Sequence, residues 1–115
     1  MDFTVVEAAG IPYPVFEGST PDALLRAAFL RDLRHTIEEN LESISLVKQG
    51  RHPSLKSGGD EVWVEFCFDR VTITAQWMYD ENGSEMEIQL SLAETEQLLH
   101  KWQAALSIFE SHKNR

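Results

Sequence analysis

The sequence predicts a single α+β domain over residues 1–115, in which an antiparallel β-meander of three to four strands is packed on one face by two helices. Three observations predict this class. Apolar residues recur at helical spacing in the first half of the chain, apolar and polar residues alternate with a period of two in the second half, and a capping box precedes the last segment. A chain of this length buries enough surface for one hydrophobic core.

The first twenty residues predict at most one strand. The run from Phe3 to Glu7 is rich in β-branched residues and is a candidate first strand. The segment from Ala8 to Ser19 contains two glycines and two prolines, so we expect a loop or a sheet edge there.

A helix is predicted from about Pro21 to about Leu41, since Thr20 is a good N-cap and proline suits the first helical position. Its buried face has apolar residues at spacings of three, four, four and three: Leu30, Leu33, Ile37, Leu41 and Ile44. We expect fraying or a return to extended structure near Ser45 to Lys48. The glycine-containing stretch from Gly50 to Asp60 is predicted to be a loop that links the two halves of the domain.

Two strands of alternating polarity follow, and they stay in phase if Asp69-Arg70 is a two-residue hairpin turn with Phe68 opposite Val71. An Asn-Gly turn then leads to a third strand. The residues predicted to face the helices are Val62, Val64, Phe66, Ile73, Ala75, Trp77, Ile88 and Leu90. Ser91 and Glu94 form the capping box of the last helix. Its predicted buried face contains Leu99, Trp102, Leu106 and Phe109.

The charge balance favours a basic protein as the partner. Nineteen acidic against ten basic residues give a formal net charge of −9, which repels nucleic acid and anionic membrane surfaces. The same field would attract a basic protein domain and speed its encounter. Ten acidic residues and a single basic one lie between Asp60 and Glu96.

No cluster in the sequence predicts catalysis, a metal site or a cofactor. His35, Glu38 and Glu39 lie within one helical turn and could support acid–base chemistry, but that spacing is far more typical of a solvated helix face. The four histidines lack the spacing of a metal site, and Cys67 has no second cysteine for a metal or a disulfide. We therefore expect a binding protein rather than an enzyme.

The candidate partner-binding surface is the exposed face of the predicted sheet. If Tyr79 pairs with Met86, then Trp63 lies beside Gln76 and Gln89, with a neighbouring row of acidic residues and a methionine. The predicted partner-binding residues are Glu61, Trp63, Glu65, Met78 and Glu87.

Two alternatives to that surface remain open at the level of sequence. Trp63 would not be available if the N-terminal segment or a second copy covered it. The interface could instead lie on the opposite side, around the loop from Arg51 to Gly59 and the first helix.

The expected compartment is the reducing cytoplasm. The N-terminal residues MDFTVVEAAG do not show the basic and apolar regions of a secretory signal, and no apolar run approaches the roughly 20 residues of a membrane span. The sequence is compatible with a monomer or a homodimer.

The phenylalanine-rich hairpin WVEFCFDRVTITAQW, the Asn-Gly turn and the tryptophan-bearing helix LLHKWQAAL complete a small, acidic α+β layout. This layout resembles the immunity proteins of bacterial toxin systems such as contact-dependent growth inhibition. The resemblance implies a cytoplasmic protein that neutralises a cognate toxin, such as a nuclease, by covering its basic catalytic cleft. Two other functions stay open: a chaperone of the type III secretion kind that binds an effector segment, and a small enzyme that uses His35 and Glu39.

Overall fold

The computed structural model describes residues 2–113 and confirms the α+β class. A four-stranded antiparallel sheet packs against helices, and a separate two-stranded hairpin precedes it. The elements in chain order are β1 (Phe3–Ala8), β2 (Ile11–Phe16), α1 (Pro21–Asp32), α2 (Ile37–Lys48), β3 (Ser54–Gly58), β4 (Val62–Cys67), β5 (Arg70–Tyr79), β6 (Glu85–Leu90) and α3 (Leu92–Lys113). None of the helices in the described residues is long and apolar enough to cross a membrane.

The sheet has the strand order β3-β4-β5-β6. Its additional strand is β3, which lies inside the stretch that we predicted to be a loop, so that prediction is wrong. The candidate strand at Phe3 exists, but it pairs with β2 in the separate hairpin. In both places a strand with a weak local signal is held by its antiparallel neighbour. β3 has little alternation of its own and pairs with β4, and β2, which contains two prolines and lies in the stretch predicted to be a loop or a sheet edge, pairs with β1.

The single long helix predicted from Pro21 is wrong, because the chain turns between Leu33 and Thr36 and forms two helices. The turn is held by a backbone hydrogen bond from the Thr36 amide to the Leu33 carbonyl, and the Asn40 side-chain amide donates to the Thr36 carbonyl at 2.7 Å. The second helix also continues through Ser45 to Lys48, where we expected extended structure. Helical structure there buries Val47 completely.

The β4–β5 turn lies one residue earlier than predicted. Cys67 pairs with Arg70 and Phe66 with Val71, so Phe68 stands at the turn and is 71% exposed instead of facing Val71. This register differs by two residues from the predicted one, and a shift of two preserves which side chains face the core. The predicted core residues Val62, Val64, Phe66, Ile73 and Ala75 are accordingly buried.

An irregularity in β5 changes the register with β6 between Thr74 and Tyr79. Tyr79 pairs with Glu85 rather than with the predicted Met86. Met78 packs partly buried against the core, and Trp77, which we predicted to face the helices, is 45% exposed. Extra residues on one strand of a pair move the following side chains to the opposite face, which accounts for the exchange. In β6, Leu90 is buried and Ile88 packs against the core, as predicted.

Trp102 of α3 is fully buried at the centre of the core, between the helices and the N-terminal hairpin. Its ring meets that of Phe3 edge-on, with 6.2 Å between the centroids, and Phe3 in turn packs against Phe16 at 5.2 Å. Leu99 is buried as predicted, whereas Leu106 is only partly buried. The hairpin thus closes the core beside α3.

The end of α1 is tied directly to the turn between β3 and β4. One carboxylate oxygen of Asp32 accepts hydrogen bonds from the amides of Glu61 and Val62, at 2.7 and 2.8 Å. Arg31 donates two hydrogen bonds to the Glu61 carboxylate, at 3.0 and 2.7 Å. A side chain at Gly59 would collide with Asp32, since a Cβ there would lie 2.6 Å from its carboxyl carbon. These contacts fix the helices against the start of β4.

Replacement of Asp32 by alanine should lower the free energy of unfolding by about 2 to 4 kcal/mol, because two backbone amides lose a charged acceptor. Urea denaturation followed by circular dichroism measures the change. Asp60→Ala is the matched control, since Asp60 is an exposed residue of the same turn and should change the free energy by less than about 0.5 kcal/mol. Equal effects of the two substitutions would contradict the role assigned to Asp32.

Candidate functional site

The candidate site is the face of the four-stranded sheet that is turned away from the helices, called here the open face. Antiparallel register places its residues in cross-strand rows, and two of these rows surround Trp63. The first row is Gly58, Trp63, Thr74 and Glu87, and the second is Lys56, Glu65, Thr72 and Gln89. Trp63 therefore lies beside Thr74 and not, as predicted, beside Gln76 and Gln89. Because the β4–β5 register is shifted by two residues, Gln76 instead donates to the carbonyls of Gly59 and Val62.

The Trp63 side chain is 56% exposed, and it leans over the neighbouring strand β3. A Cβ at Gly58 would lie 2.5 Å from Cε3 of the indole, so the ring occupies the space where a side chain would otherwise be. A large aromatic ring placed over a glycine of an edge strand shields that strand's backbone. Packing on Gly58 therefore explains part of the burial of Trp63 and still leaves more than half of the side chain accessible. In the structure of residues 2–113, β1 and β2 pair with each other in a separate sheet, and Trp63 keeps its 56% exposure.

A shallow concavity of about 380 Å³ lies beside the indole. Its lining residues are Lys56, Ser57, Trp63, Val64, Glu65, Thr72, Thr74 and Glu87. The concavity thus combines an aromatic surface, three hydroxyl-bearing residues, two acidic residues and one lysine on the same sheet. Such a combination suits a cationic group of a partner.

The five predicted partner-binding residues do not all come together. Trp63, Glu65 and Glu87 share the open face and line the concavity, as expected. Glu61 lies in the β3–β4 turn, where its carboxylate is engaged by Arg31, so it belongs to the contact between helix and sheet. Met78 was expected on the exposed face, but the irregularity in β5 places it against the core.

Residues of β3 and of the end of β5 that lie at the site were not predicted from the sequence. Lys56 reaches the open face only because β3 is a strand, and the hairpin-like SGGD between two extended runs was the available signal. Trp77 and Tyr79 are exposed on either side of Met78. No local pattern marked them, because the shift in β5 depends on its pairing with β6.

Several acidic residues between Asp60 and Glu96 are neutralised by bases. Within residues 2–113, four of the ten lie within salt-bridge distance of a basic side chain. The pairs are Glu61 with Arg31, Asp69 with Arg70, Glu94 with Arg26 and Glu96 with Lys48. Glu65 and Glu87 on the open face are not among them. Asp80, Glu81 and Glu85 cluster at the β5–β6 turn, so the negative charge near the site extends towards that turn.

The residues considered for acid–base chemistry lie in a separate place. His35, Glu38 and Glu39 line a concavity of about 350 Å³ between the start of α2 and the helix α3, together with Arg34 and Glu110. Among residues 2–113, no group of three or more histidine, cysteine or acidic side chains is arranged to hold a metal ion. This concavity lies on the helical side of the domain and shares no residue with the open face.

Cys67 lies at the end of β4, on the same face of the sheet as Glu65, and is partly buried. Burial raises the pKa of its thiol above the ordinary value, and the nearby Glu65 carboxylate raises the pKa further. Since the thiolate is the reactive form, this environment is the opposite of one that activates a nucleophile.

No protein-family model matches this chain, and neither a curated protein nor a solved structure does. Family membership therefore assigns no residue a role. The open face, with its half-exposed tryptophan and its concavity, is the feature from which a function can be inferred.

The raised pKa of Cys67 predicts slow alkylation by iodoacetamide in the folded protein. The rate should keep rising with pH beyond the range in which an unperturbed thiol levels off, because the thiolate forms only at higher pH. Glu65→Gln should shift the profile to lower pH, since it removes a like charge. The urea-unfolded protein is the control and should show the ordinary profile. Superimposable profiles for the folded and unfolded protein would contradict the prediction.

Proposed function

We propose that this chain is an acidic protein-binding module whose open face docks onto a basic surface of another protein. One observation carries the proposal: Trp63 is held more than half exposed on a rigid sheet, beside a concavity bordered by Glu65 and Glu87. Tryptophan is the residue type most enriched among the anchors of protein interfaces. A sheet face also requires little ordering on binding, so little affinity is lost to conformational entropy.

The area of the open face is smaller than that of a standard interface, so neighbouring residues must also contact the partner. Four strands of about six residues cover roughly 19 by 20 Å, or about 400 Å², from the usual strand spacing and rise. A standard interface buries about 800 Å² on each partner. The exposed Trp77 and Tyr79 and the acidic β5–β6 turn adjoin the face and would supply the remaining area.

The partner class that we favour is the catalytic domain of a toxin, which makes this chain an immunity protein. The small acidic α+β layout that resembles such proteins supports this choice, as does the net charge of −9. A nuclease or another enzyme that acts on a phosphate backbone has a basic cleft, and acidic side chains of the open face would occupy it.

A chaperone for a secreted effector is the second candidate, and a different surface favours it. On the outer face of the β1–β2 hairpin, the side chains of Val6, Ile11 and Val15 are exposed. That face has no charged residue and would suit an apolar segment of an extended polypeptide. A partner held there would depend on Val6 and Val15 and not on Trp63.

Capture of partners with matched baits separates these functions. The baits are the wild-type chain, Trp63→Ala, Val6→Ser and the control Ile108→Ala, which removes an exposed apolar side chain from α3. An immunity protein should retain one basic enzyme domain with all baits except Trp63→Ala. A chaperone should lose its partner only with Val6→Ser. Retention of the same partner by Trp63→Ala would contradict docking through the open face.

With the captured partner purified, Trp63→Ala should cost on the order of 2 kcal/mol of binding free energy, mainly through a faster off-rate, if the indole is an interface anchor. Glu87→Lys should mainly slow association, because charges at an interface steer the encounter. The wild-type on-rate should fall as salt rises, since charges are screened beyond about 8 to 10 Å at physiological ionic strength. Biolayer interferometry over a salt series measures both rates. A salt-independent on-rate with an unchanged off-rate in Trp63→Ala would contradict the proposal.

Replacement of His35 or Glu39 by alanine should leave partner binding and any inhibition of the partner unchanged. Both residues lie on the helical side of the domain, remote from the open face. The measurement is the same kinetic assay together with an activity assay of the partner. A loss of more than about tenfold, which corresponds to about 1.4 kcal/mol, in a variant with an unchanged melting temperature would instead favour the small enzyme.

A further inference from the structure

We infer that the concavity beside Trp63 is a receptor for one arginine side chain, in which the guanidinium lies against the indole and between the carboxylates of Glu65 and Glu87. This inference rests on the proposed function and specifies the group by which the partner would be recognised. The partner would present an arginine side chain to the open face, and a lysine side chain would bind there less tightly.

The position of the indole creates the space for such a group. Because Gly58 has no side chain, the Trp63 ring can lean over β3 instead of lying over Thr74. The concavity is thereby left open above Thr72 and Thr74, with the indole on one side. An alanine at position 58 would place its Cβ 2.5 Å from Cε3, so the ring would have to move.

The two carboxylates approach the same space from different directions. Glu87 is in the row of Trp63, separated from it by Thr74, and Glu65 is in the adjacent row on the strand of Trp63. Neighbouring strands lie about 4.8 Å apart, so the Cα atoms of Trp63 and Glu87 are separated by roughly 10 Å. A planar group in contact with the indole fits into that width and leaves both carboxylates within reach of its edge.

Arginine matches this arrangement better than lysine does. Its guanidinium is flat and weakly hydrated, so it stacks on an aromatic ring and directs several N–H donors outwards in one plane. An ammonium group is strongly hydrated and does not stack. Contact of a cation with a tryptophan face strengthens binding by about two- to fivefold at an exposed site, and the carboxylates add charge-assisted hydrogen bonds.

The chain has its own cation at the rim of the concavity. Lys56 is the register partner of Glu65 and is exposed, yet its ammonium is not within salt-bridge distance of an acidic side chain among the described residues. An incoming arginine would be repelled by Lys56. Removal of that charge should therefore strengthen binding, which is a gain that a merely structural role of the concavity does not predict.

Titration of the ¹⁵N-labelled protein with three short peptides tests the inference. The probes are N-acetyl-Gly-Arg-Gly-amide, the same peptide with lysine, and the same peptide with citrulline, which keeps the shape of arginine without its charge. We expect saturable shifts of the Trp63 indole N–H and of the amides of Thr72 and Thr74. The arginine peptide should bind about three- to fivefold more tightly than the lysine peptide, and the citrulline peptide should cause no saturable shift.

Four variants report on the geometry. Trp63→Ala should abolish the saturable shifts, and Glu87→Gln should weaken binding of the arginine peptide. Gly58→Ala keeps the indole but should weaken binding by moving it, and Lys56→Gln should strengthen binding. Glu81→Gln is the control, because it removes an acid from the β5–β6 turn and should leave the affinity unchanged.

The inference fails if the arginine peptide binds no more tightly than the citrulline peptide, or if its shifts map to Asp80 and Glu81 instead of the concavity. It also fails if arginine and lysine bind equally in both the wild type and Lys56→Gln. These outcomes are independent of the capture experiment. A partner lost with Trp63→Ala, combined with no preference for the arginine peptide, would retain the protein-binding function and reject the arginine receptor.

Discussion

The carboxylate of Asp32 is the constraint on which the arrangement of helices, sheet and candidate site depends. It accepts hydrogen bonds from the backbone amides of Glu61 and Val62 and therefore fixes where β4 begins. Trp63 is the next residue along β4, and it pairs with Gly58 across the same turn. An acidic residue in the last turn of a helix is opposed by the helix dipole, so the two amide donors offset an unfavourable position. The placement of the indole on the open face thus follows from the hydrogen bonds between the end of α1 and the turn between β3 and β4.

Alternation of polarity along β4 and the first half of β5, as far as Ala75, was sufficient to predict which side chains are buried and that Trp63 is exposed. It was not sufficient to predict which residues lie beside Trp63. A two-residue change of register leaves every side chain on its own face, so the hydrophobic pattern does not distinguish the two registers. The position of the turn decides between the two registers. In the observed turn Phe68 is exposed, so one phenylalanine is not buried. The predicted neighbours of Trp63 were wrong for this reason, although its exposure was right.

The remaining differences arise where long-range contacts override local pattern. Leu33 and Ile37 both face the core, and the spacing of four between them is as compatible with a continuous helix as with the turn that the chain makes there. The strand β3 is stabilised by pairing with β4, and the position of Met78 depends on an irregularity shared with β6. In each case the deciding partner is distant in sequence. The orientation of Met78 therefore could not be derived from neighbouring residues alone, whereas the placement of Lys56 on a strand had the SGGD turn as its one local signal.

Net charge and the location of charge lead to different conclusions about the interface. The bases Arg26, Arg31 and Lys48 of the first two helices pair with acids of the segment from Asp60 to Glu96. Those salt bridges connect the helices to the sheet and to α3. Because the three bases are engaged there, they do not neutralise exposed acidic residues of α2 such as Glu38 and Glu39. The acidic excess is consequently spread over the helices as well as the sheet. A basic partner would be attracted to several sides of the molecule, so charge alone cannot select the docking surface. For the proposed docking, the selective feature would be the half-exposed indole of Trp63, because shape and aromatic contact act only at short range.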